Sequence, residues 1–164
     1  MDKLALLRNK IFALDELVHV VSGWRLQSQT VVFTNGCFDI MHRGHVEYLA
    51  QAASLGNRLI VGLNSDQSIF KLKGPNRPII DGYSRAELLA SFQFIDAVVL
   101  FDDETPINLI TALKPNVLAK GGDYTPETIV GANIVTANGG RVAVIPIVAG
   151  YSTTNIIKKI ASQA

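Results

Sequence analysis

The chain has 164 residues, of which 48% are hydrophobic and 18% charged, with a formal net charge of +1 and a single cysteine. This composition is typical of one folded domain with a substantial core. The near-neutral charge argues against a nucleic-acid partner, and no apolar run reaches the roughly 20 residues that cross a bilayer, which argues against a membrane partner. Because Cys37 cannot form an internal disulfide and the N-terminus is not a signal peptide, we expect a cytoplasmic protein.

The N-terminal segment has the pattern of an amphipathic helix from about 3 to 22. Its apolar residues recur at helical intervals, at Leu4, Leu7, Ile11, Leu14 and Leu17. We interpret residues 1–28 as a helical appendage to a main domain that spans 29–164. The apolar face of this helix packs on that domain or forms a subunit interface, and we expect a homo-oligomer, with a dimer favoured.

Apolar runs of strand length alternate with helical patterns along the rest of the chain. The runs lie at 30–35, 58–65, 96–101, 116–120 and 141–148. The helical patterns lie at about 44–56, 84–93, 105–113 and 126–138, with a last one in "STTNIIKKIASQ". Each strand run is too continuous for a strand with one face in water. The sequence therefore predicts a Rossmann-like, doubly wound α/β domain with a mostly parallel, five-stranded sheet and helices on both faces.

In such sheets, ligands bind beyond the carboxyl ends of the strands, where the strand order reverses. Four segments follow predicted strands: "TNGCFD", "NSDQS", "FDDET" and "KGGDY". If the first of the five strands is central, the reversal lies between "TNGCFD" and "KGGDY". We therefore expect the site between these two segments.

The stretch "TNGCFDIMHRGH" predicts a phosphate-binding turn. Gly36 permits a close turn after the strand, and His42 and His45 fall at the start of the next helix, where N–H groups and the helix dipole attract anions. Gly44 leaves the surface between the two imidazoles bare. Other interpretations stay open: surface or capping histidines, a zinc site with Asp39 as third ligand, or Cys37 as a nucleophile.

His-x-Gly-His after a first strand resembles the signature of the nucleotidylyltransferases of the cytidylyltransferase-like group. Four ordered blocks resemble, more closely, the heptose 1-phosphate adenylyltransferases of that group, over about 30–161. The blocks are "TNGCFDIMHRGHVEYLAQAASLGNRLIVGLNSD", "KGPNRPI", "KGGDY" and "STTNIIKKI".

This resemblance implies transfer of AMP from ATP to D-glycero-β-D-manno-heptose 1-phosphate for lipopolysaccharide core biosynthesis, with Mg²⁺ carried by the nucleotide. It implies no metal site built from protein ligands. A sugar kinase is often fused to such domains, and we expect it here as a separate protein.

Two alternatives stay open. One is a CTP-dependent cytidylyltransferase acting on glycerol 3-phosphate or a similar small phosphate. The segment "IVAGYSTT" lacks the arginine that glycerol- and choline-phosphate cytidylyltransferases carry before the hydroxyl cluster, which disfavours it. The other is a nucleotide-binding regulatory module without turnover.

The resemblance also implies roles for individual residues. The catalytic set comprises His42, His45, Lys71 and Lys73, the two lysines lying in a mobile loop. The nucleotide site comprises Thr34, Asn35, Gly36, Cys37, Phe38, Asp39, Gly44, Arg85, Lys120, Gly121, Gly122, Asp123, Ser152, Thr153 and Thr154. Asp66 is expected to bind the sugar substrate.

Structural alternatives to these roles stay open. The lysines are then solvated loop charges, and Arg85 lies on a helix surface. Asp39 and Asp66 cap the helices or segments that follow them. "KGGDY" is then an ordinary tight turn, and the three hydroxyl residues at 152–154 cap the last helix.

Overall fold

The computed structural model describes residues 2–122, 124–125, 128–148 and 150–163. Six parallel strands form one sheet: β1 (Ile11–Phe12), β2 (Val31–Gly36), β3 (Arg58–Asn64), β4 (Ala97–Phe101), β5 (Val117–Gly121) and β6 (Arg141–Ile145). Eight helices lie within the described ranges: α1 (Lys3–Arg8), α2 (Leu14–Leu26), α3 (Arg43–Ala53), α4 (Asp66–Lys73), α5 (Gly82–Ala90), α6 (Ile107–Leu113), α7 (Ala132–Ala137) and α8 (Thr153–Ala161). The predicted parallel α/β fold is confirmed.

The strand order is β1-β4-β3-β2-β5-β6, so β2 lies between β3 and β5. The chain runs outward from β2 through β3 to β4, and then returns to the other side of β2 to form β5 and β6. The order therefore reverses between β2 and β5, as predicted. The segments that follow these two strands lie side by side at the carboxyl edge of the sheet.

The core consists of two apolar clusters, because successive strand residues point to opposite faces. Val32 packs with Leu49 of α3 and Leu89 of α5 in one cluster. Phe33 packs with Leu17 of α2, and Leu109 of α6 lies in the same second cluster. The sheet is thus covered by helices on both faces, as the continuous apolar strands predicted.

The predicted count of five strands is wrong, because residues 11–12 form a sixth. Ile11 and Phe12 pair with Val98 and Val99, and the Val98 N–H donates to the Lys10 carbonyl at 2.8 Å. The continuous helix predicted over about 3–22 is therefore interrupted. Pairing with the buried strand β4 outweighs the local helical pattern, since it satisfies backbone groups at the edge of the sheet.

Helix α4 is not among the predicted helices, and its last residues include Lys71 and Lys73, which were expected in a mobile loop. Ser65 is its N-cap and accepts a hydrogen bond from the Ser68 N–H at 3.2 Å. Ile69 is buried, while Phe70 and Leu72 are exposed, so its apolar residues do not form one stripe. This irregular pattern hid the helix, and it places Lys71 and Lys73 in a last helical turn.

Candidate active site

A cleft of about 420 Å³ lies beyond the carboxyl ends of β2 and β5. Most of the predicted site residues line it: Asn35, Gly36, Cys37, Phe38, Asp39, His42, Gly44, His45, Lys73, Lys120, Gly121, Ser152, Thr153 and Thr154. Thr34, Asp66, Lys71, Arg85 and Gly122 do not line it. Asp123 lies outside the described residues. The cleft thus assembles segments that are more than a hundred residues apart in the chain.

His42 and His45 lie together at the start of α3. His42 is the N-cap, and its Nδ1 accepts a hydrogen bond from the His45 N–H at 3.3 Å. The two rings stack with centroids 3.7 Å apart and 18° between their planes, and Phe38 meets His45 edge-on at 5.3 Å. A Cβ on Gly44 would lie 3.1 Å from His42 Nδ1, so a glycine at this position leaves room for the His42 ring. His42 therefore caps the helix and also lines the cleft.

Both imidazoles are neutral at neutral pH. Burial, with smaller contributions from the charges of His42 and Lys73, lowers the pKa of His45 to about 4, and burial also lowers the pKa of His42. Nδ1 of His45 is buried and has no hydrogen-bond partner within the described ranges. Since an unpaired buried polar atom is costly, this nitrogen is suited to a ligand group in the cleft.

Asp39 does not cap α3, whose N-cap is His42, and among the described residues its hydrogen bonds go to the segment after α4 and not to a histidine. Its carboxylate accepts hydrogen bonds from the Ile79 and Ile80 N–H groups, both at 2.9 Å from Oδ1, and from Arg77 Nε at 2.5 Å from Oδ2. Burial alone would raise the pKa of Asp39, but these hydrogen bonds and the Arg77 charge outweigh it and hold the pKa below its usual value. The side chain therefore holds the segment after α4 against the turn that follows β2.

Arg85 is fully buried, which excludes the alternative of a helix-surface arginine. It donates to the carbonyl oxygens of Cys37, Ile80 and Asn64 at 2.6, 2.9 and 2.9 Å, and to Asp66 Oδ1 at 2.6 Å. This guanidinium lies behind the cleft and joins the chain segments that form its wall. Asp66 is occupied by this ion pair, and its side chain is half exposed.

The three predicted lysines have different positions. Lys73 is exposed at the end of α4 and lines the cleft beside His45. Lys71, two residues earlier on the same helix, does not line it. Lys120, at the end of β5, approaches Asn35 Oδ1 at 3.4 Å, and burial lowers its pKa. Lys73 and Lys120 are thus the two lysines placed to meet an anion.

Hydroxyl groups from the start of α8 form the opposite wall. Ser152 is the N-cap and accepts from the Asn155 N–H at 3.1 Å, as the capping alternative predicted. Thr153 donates to the Ile40 carbonyl at 3.5 Å, which links α8 to the turn before α3. Thr34, in contrast, is buried beneath the cleft, where its hydroxyl bonds that of Tyr48. Its side chain is part of the support of the site.

Sequence reasoning missed several residues of the cleft: Tyr48, Arg77, Tyr124, Ile147 and Tyr151. Tyr48 packs against Gly121, where a Cβ would lie 3.0 Å from its ring. Arg77 lies within the quoted block "KGPNRPI", and Tyr151 directly precedes the hydroxyl cluster, so a signal was present for both. The Arg43 guanidinium lies 5.6 Å from the Tyr151 ring, which joins α3 to the segment before α8.

A side cleft of about 220 Å³ adjoins the main one. The two share Asn35, Lys120 and Tyr124. Its other lining residues include Glu104, Thr105 and Thr128. Lys120 therefore lies between two spaces, one beside the histidines and one lined by a carboxylate and hydroxyls.

Two negative findings apply to the described part of the chain. No group of three or more His, Cys, Asp or Glu side chains is placed to hold a metal ion there. In the same residues, no helix has the length and apolar character needed to cross a bilayer. The zinc interpretation of His42, His45 and Asp39 thus has no support from the geometry.

A parallel sheet with a cleft at its reversal point and imidazoles at a helix start is typical of nucleotide-binding α/β domains. The chain belongs to the cytidylyltransferase-like family, whose model matches residues 33–159. The family expected from the sequence blocks is confirmed.

Relatives and a solved structure extend this similarity. The bifunctional protein HldE of Methylobacillus flagellatus is 52% identical over 154 residues, which are 94% of this chain and 32% of that protein. HldE of Trichlorobacter lovleyi is 54% identical over 152 residues, 93% of this chain and 31% of that protein. The chain thus spans about a third of the length of these relatives. The crystal structure of a lipopolysaccharide core biosynthesis protein from Thermoplasma volcanium matches with a TM-score of 0.58 and 27% identity, covering 73% of this chain and 97% of that one.

Proposed function

We propose that this chain transfers AMP from ATP to D-glycero-β-D-manno-heptose 1-phosphate, releasing pyrophosphate and forming ADP-heptose for lipopolysaccharide core biosynthesis. The observation that carries the proposal is the pair of stacked, neutral imidazoles at the start of α3, which share one cleft with the hydroxyls of α8. The resemblance to HldE proteins and to a lipopolysaccharide core biosynthesis protein supports the choice of substrate.

The chemistry needs hydrogen-bond donors more than a base. An oxygen of the acceptor phosphate forms a bond to the α-phosphorus of ATP, and the bond from that phosphorus to the bridging oxygen breaks. Pyrophosphate leaves with the electron pair, and an ionised phosphate nucleophile has no proton to lose. Catalysis is then mostly positioning and charge stabilisation, for which neutral imidazole N–H groups and Lys73 are suited.

Mg²⁺ stays part of the proposal as a companion of the nucleotide. Mg²⁺ is usually held by one or two carboxylates together with substrate phosphates, and it keeps several waters. The described residues form no cluster of ligands around the cleft, and Asp39 is occupied by backbone N–H groups and Arg77. We therefore assign the ion to the phosphates of ATP, where it neutralises charge, and assign no protein side chain to it.

The acceptor is proposed to occupy the side cleft. A sugar phosphate presents hydroxyls and a dianion, and this space offers a carboxylate, two threonine hydroxyls and the Lys120 ammonium. Lys120 also lines the main cleft, so it can hold the acceptor phosphate near the α-phosphate of ATP. The predicted substrate contact of Asp66 is not adopted, because its carboxylate pairs with Arg85 away from both clefts.

Three further predictions stay predictions. They are the division into a segment 1–28 and a nucleotidylyltransferase domain 29–164, a homo-oligomer with a dimer favoured, and a cytoplasmic location. The boundary at residue 28 falls in the short connection between α2 and β2.

Pyrophosphate release tests the proposed reaction. ATP and CTP are each combined with Mg²⁺ and either D-glycero-β-D-manno-heptose 1-phosphate or glycerol 3-phosphate. We expect release only with ATP and the heptose phosphate. Release only with CTP would replace the proposal with a cytidylyltransferase. Nucleotide binding without release in any combination would make the chain a binding module.

A further inference from the structure

The segment between α4 and α5 is fastened to the phosphate-binding turn by Asp39. The Asp39 side chain is fully buried, and that of Arg77 is only 12% exposed. The carboxylate accepts from Arg77 Nε and from the backbone of Ile79 and Ile80. Arg85 holds the same segment from its other side, through the Ile80 carbonyl at 2.9 Å. Arg77 is thus held in one position, in contrast to the exposed Lys73.

The two N–H groups on Nη2 of this fixed guanidinium are left over. Nε of Arg77 is used by Asp39, but Nη2 is buried and has no hydrogen-bond partner among the residues that the structure describes. Native proteins rarely leave a buried polar atom unpaired unless a ligand or water supplies the partner. The side chain lines the cleft that also contains His42, His45 and Lys73. An acceptor atom bound against this wall of the cleft is therefore a candidate for the missing partner.

The charge of the cleft indicates what this acceptor is. The opposite wall, formed by Ile147 and residues 151–154, contributes hydroxyls and no basic residue. Guanidinium groups bind phosphate with more geometric specificity than ammonium groups, because their donors form a rigid fork. A guanidinium whose Nε is held by a buried carboxylate presents its other N–H groups at little further cost in side-chain entropy.

We propose that Arg77 is a phosphate-binding residue, which donates from Nη2 to the phosphate chain of the nucleotide, and that Asp39 is its positioning residue. The inference rests on the proposed function only in requiring that a polyphosphate occupies the cleft. It does not depend on which base or which sugar is used. It also assigns the "KGPNRPI" block a fixed cation in addition to the lysine at its start.

Binding of inorganic tripolyphosphate with Mg²⁺, measured by calorimetry, tests this proposal separately from turnover. The variants are Arg77→Gln and Arg77→Lys. The matched control is Arg58→Gln, because Arg58 also forms an ion pair, with Asp96 at 2.7 Å, at the start of β3 and so at the other edge of the sheet. We expect Arg77→Gln to weaken tripolyphosphate and ATP about 10- to 100-fold, as for a hydrogen bond to a charged group. Arg77→Lys should recover only part of this loss, and Arg58→Gln should bind like the wild type.

Urea unfolding of each variant distinguishes a phosphate-binding role of Arg77 from a purely structural one. If Arg77→Gln binds tripolyphosphate within about twofold of the wild type, the proposal is overturned. An unfolding midpoint lowered as far as that of Arg58→Gln would then show that Arg77 has a structural role only. If Arg77→Gln does not fold, Arg77→Lys decides by the same comparison. If Arg77→Gln loses tripolyphosphate binding but the wild type releases no pyrophosphate with any acceptor, the phosphate-binding role of Arg77 is supported and the proposed reaction is rejected. A wild type that binds neither tripolyphosphate nor ATP would reject both.

A double-mutant cycle tests the positioning role of Asp39. If Asp39 acts through Arg77, Asp39→Asn should weaken tripolyphosphate binding in the wild type but not in Arg77→Gln. Additive losses in the double variant would show that Asp39 acts on binding by another route, and this part of the proposal would fall.

Discussion

The imidazole rings of His42 and His45 stack face to face, with centroids 3.7 Å apart. At this separation two positive rings would repel strongly in a partly buried site, since like charges a few ångströms apart disfavour joint ionisation. The pKa of His45 is lowered to about 4, mainly by burial and then by His42. The arrangement therefore keeps both rings as neutral donors until an anionic ligand arrives.

Replacement of His45 should reduce turnover without unfolding the protein. We expect His45→Ala to lower kcat about 10²- to 10³-fold, as for removal of one donor to a developing charge. His19→Ala is the matched control, because His19 is exposed on α2, and it should keep wild-type turnover. Steady-state pyrophosphate release measures both. Unchanged turnover in His45→Ala, with normal circular dichroism, would remove the phosphate-binding interpretation of α3.

The stability of the protein should depend on pH through His45. Its pKa is about 4 in the folded chain and about 6.5 when unfolded, so between these values the unfolded chain binds a proton that the folded chain does not. The free energy of unfolding should therefore fall as the pH falls from about 6.5 towards 4. The pKa of His42 is lowered in the same direction.

Urea unfolding between about pH 7.5 and pH 5.5 measures this dependence, above most of the range in which carboxylates titrate. His45→Gln should lose less stability over this interval than the wild type, while His19→Gln should match the wild type. Equal losses in all three proteins would show that the pKa of His45 is not lowered in the folded state.

Arg85 should contribute more to stability than its ion-pair partner Asp66. Arg85→Met leaves three carbonyl oxygens and a carboxylate without their donor, and we expect a loss of about 3–5 kcal/mol in the free energy of unfolding. The Asp66 side chain is 50% exposed, so Asp66→Asn should cost less than about 1 kcal/mol. Urea unfolding compares the two variants. Similar losses would mean that the ion pair, and not the carbonyl contacts, carries the stabilisation.

A methyl group at position 44 should impair catalysis while sparing the fold. A Cβ on Gly44 would lie 3.1 Å from both His42 Nδ1 and Tyr151 Cβ, so one of them must shift by a few tenths of an ångström. We expect Gly44→Ala to lower kcat about 10-fold, less than the ~10²-fold cost of a 1 Å misplacement.

Gly23→Ala is its control, since nothing lies within 4 Å of a Cβ there and α2 gains helix propensity of about 0.5–1 kcal/mol. Turnover and the unfolding midpoint are measured for both variants. A Gly44→Ala protein with full turnover would show that the position of the His42 ring is not critical.

Much of the fold and of the candidate site could be predicted from local sequence. Continuous apolar runs predicted parallel, doubly covered strands, and "TNGCFDIMHRGH" predicted the cleft at the reversal between β2 and β5, where it is found. These predictions succeed because burial on both faces, a glycine turn and a helix start all depend on residues close together in the chain. The positions of side chains at a helix terminus, such as His42 and His45, could therefore be predicted without any tertiary contact.

Only the tertiary structure decided what β1, Arg85, Asp39 and Arg77 do. Residues 11–12 form a strand because β4 offers them backbone partners more than eighty positions away. Arg85 and Asp39 are buried because carbonyl and N–H groups from distant segments converge on them, and Arg77 is fixed because Asp39 is. From sequence alone, a charged side chain is predicted to lie on the surface, because its burial without partners would be too costly. The partners of such a side chain are brought together only when the chain folds. The burial of Arg85, Asp39 and Arg77 therefore could not be predicted from the sequence.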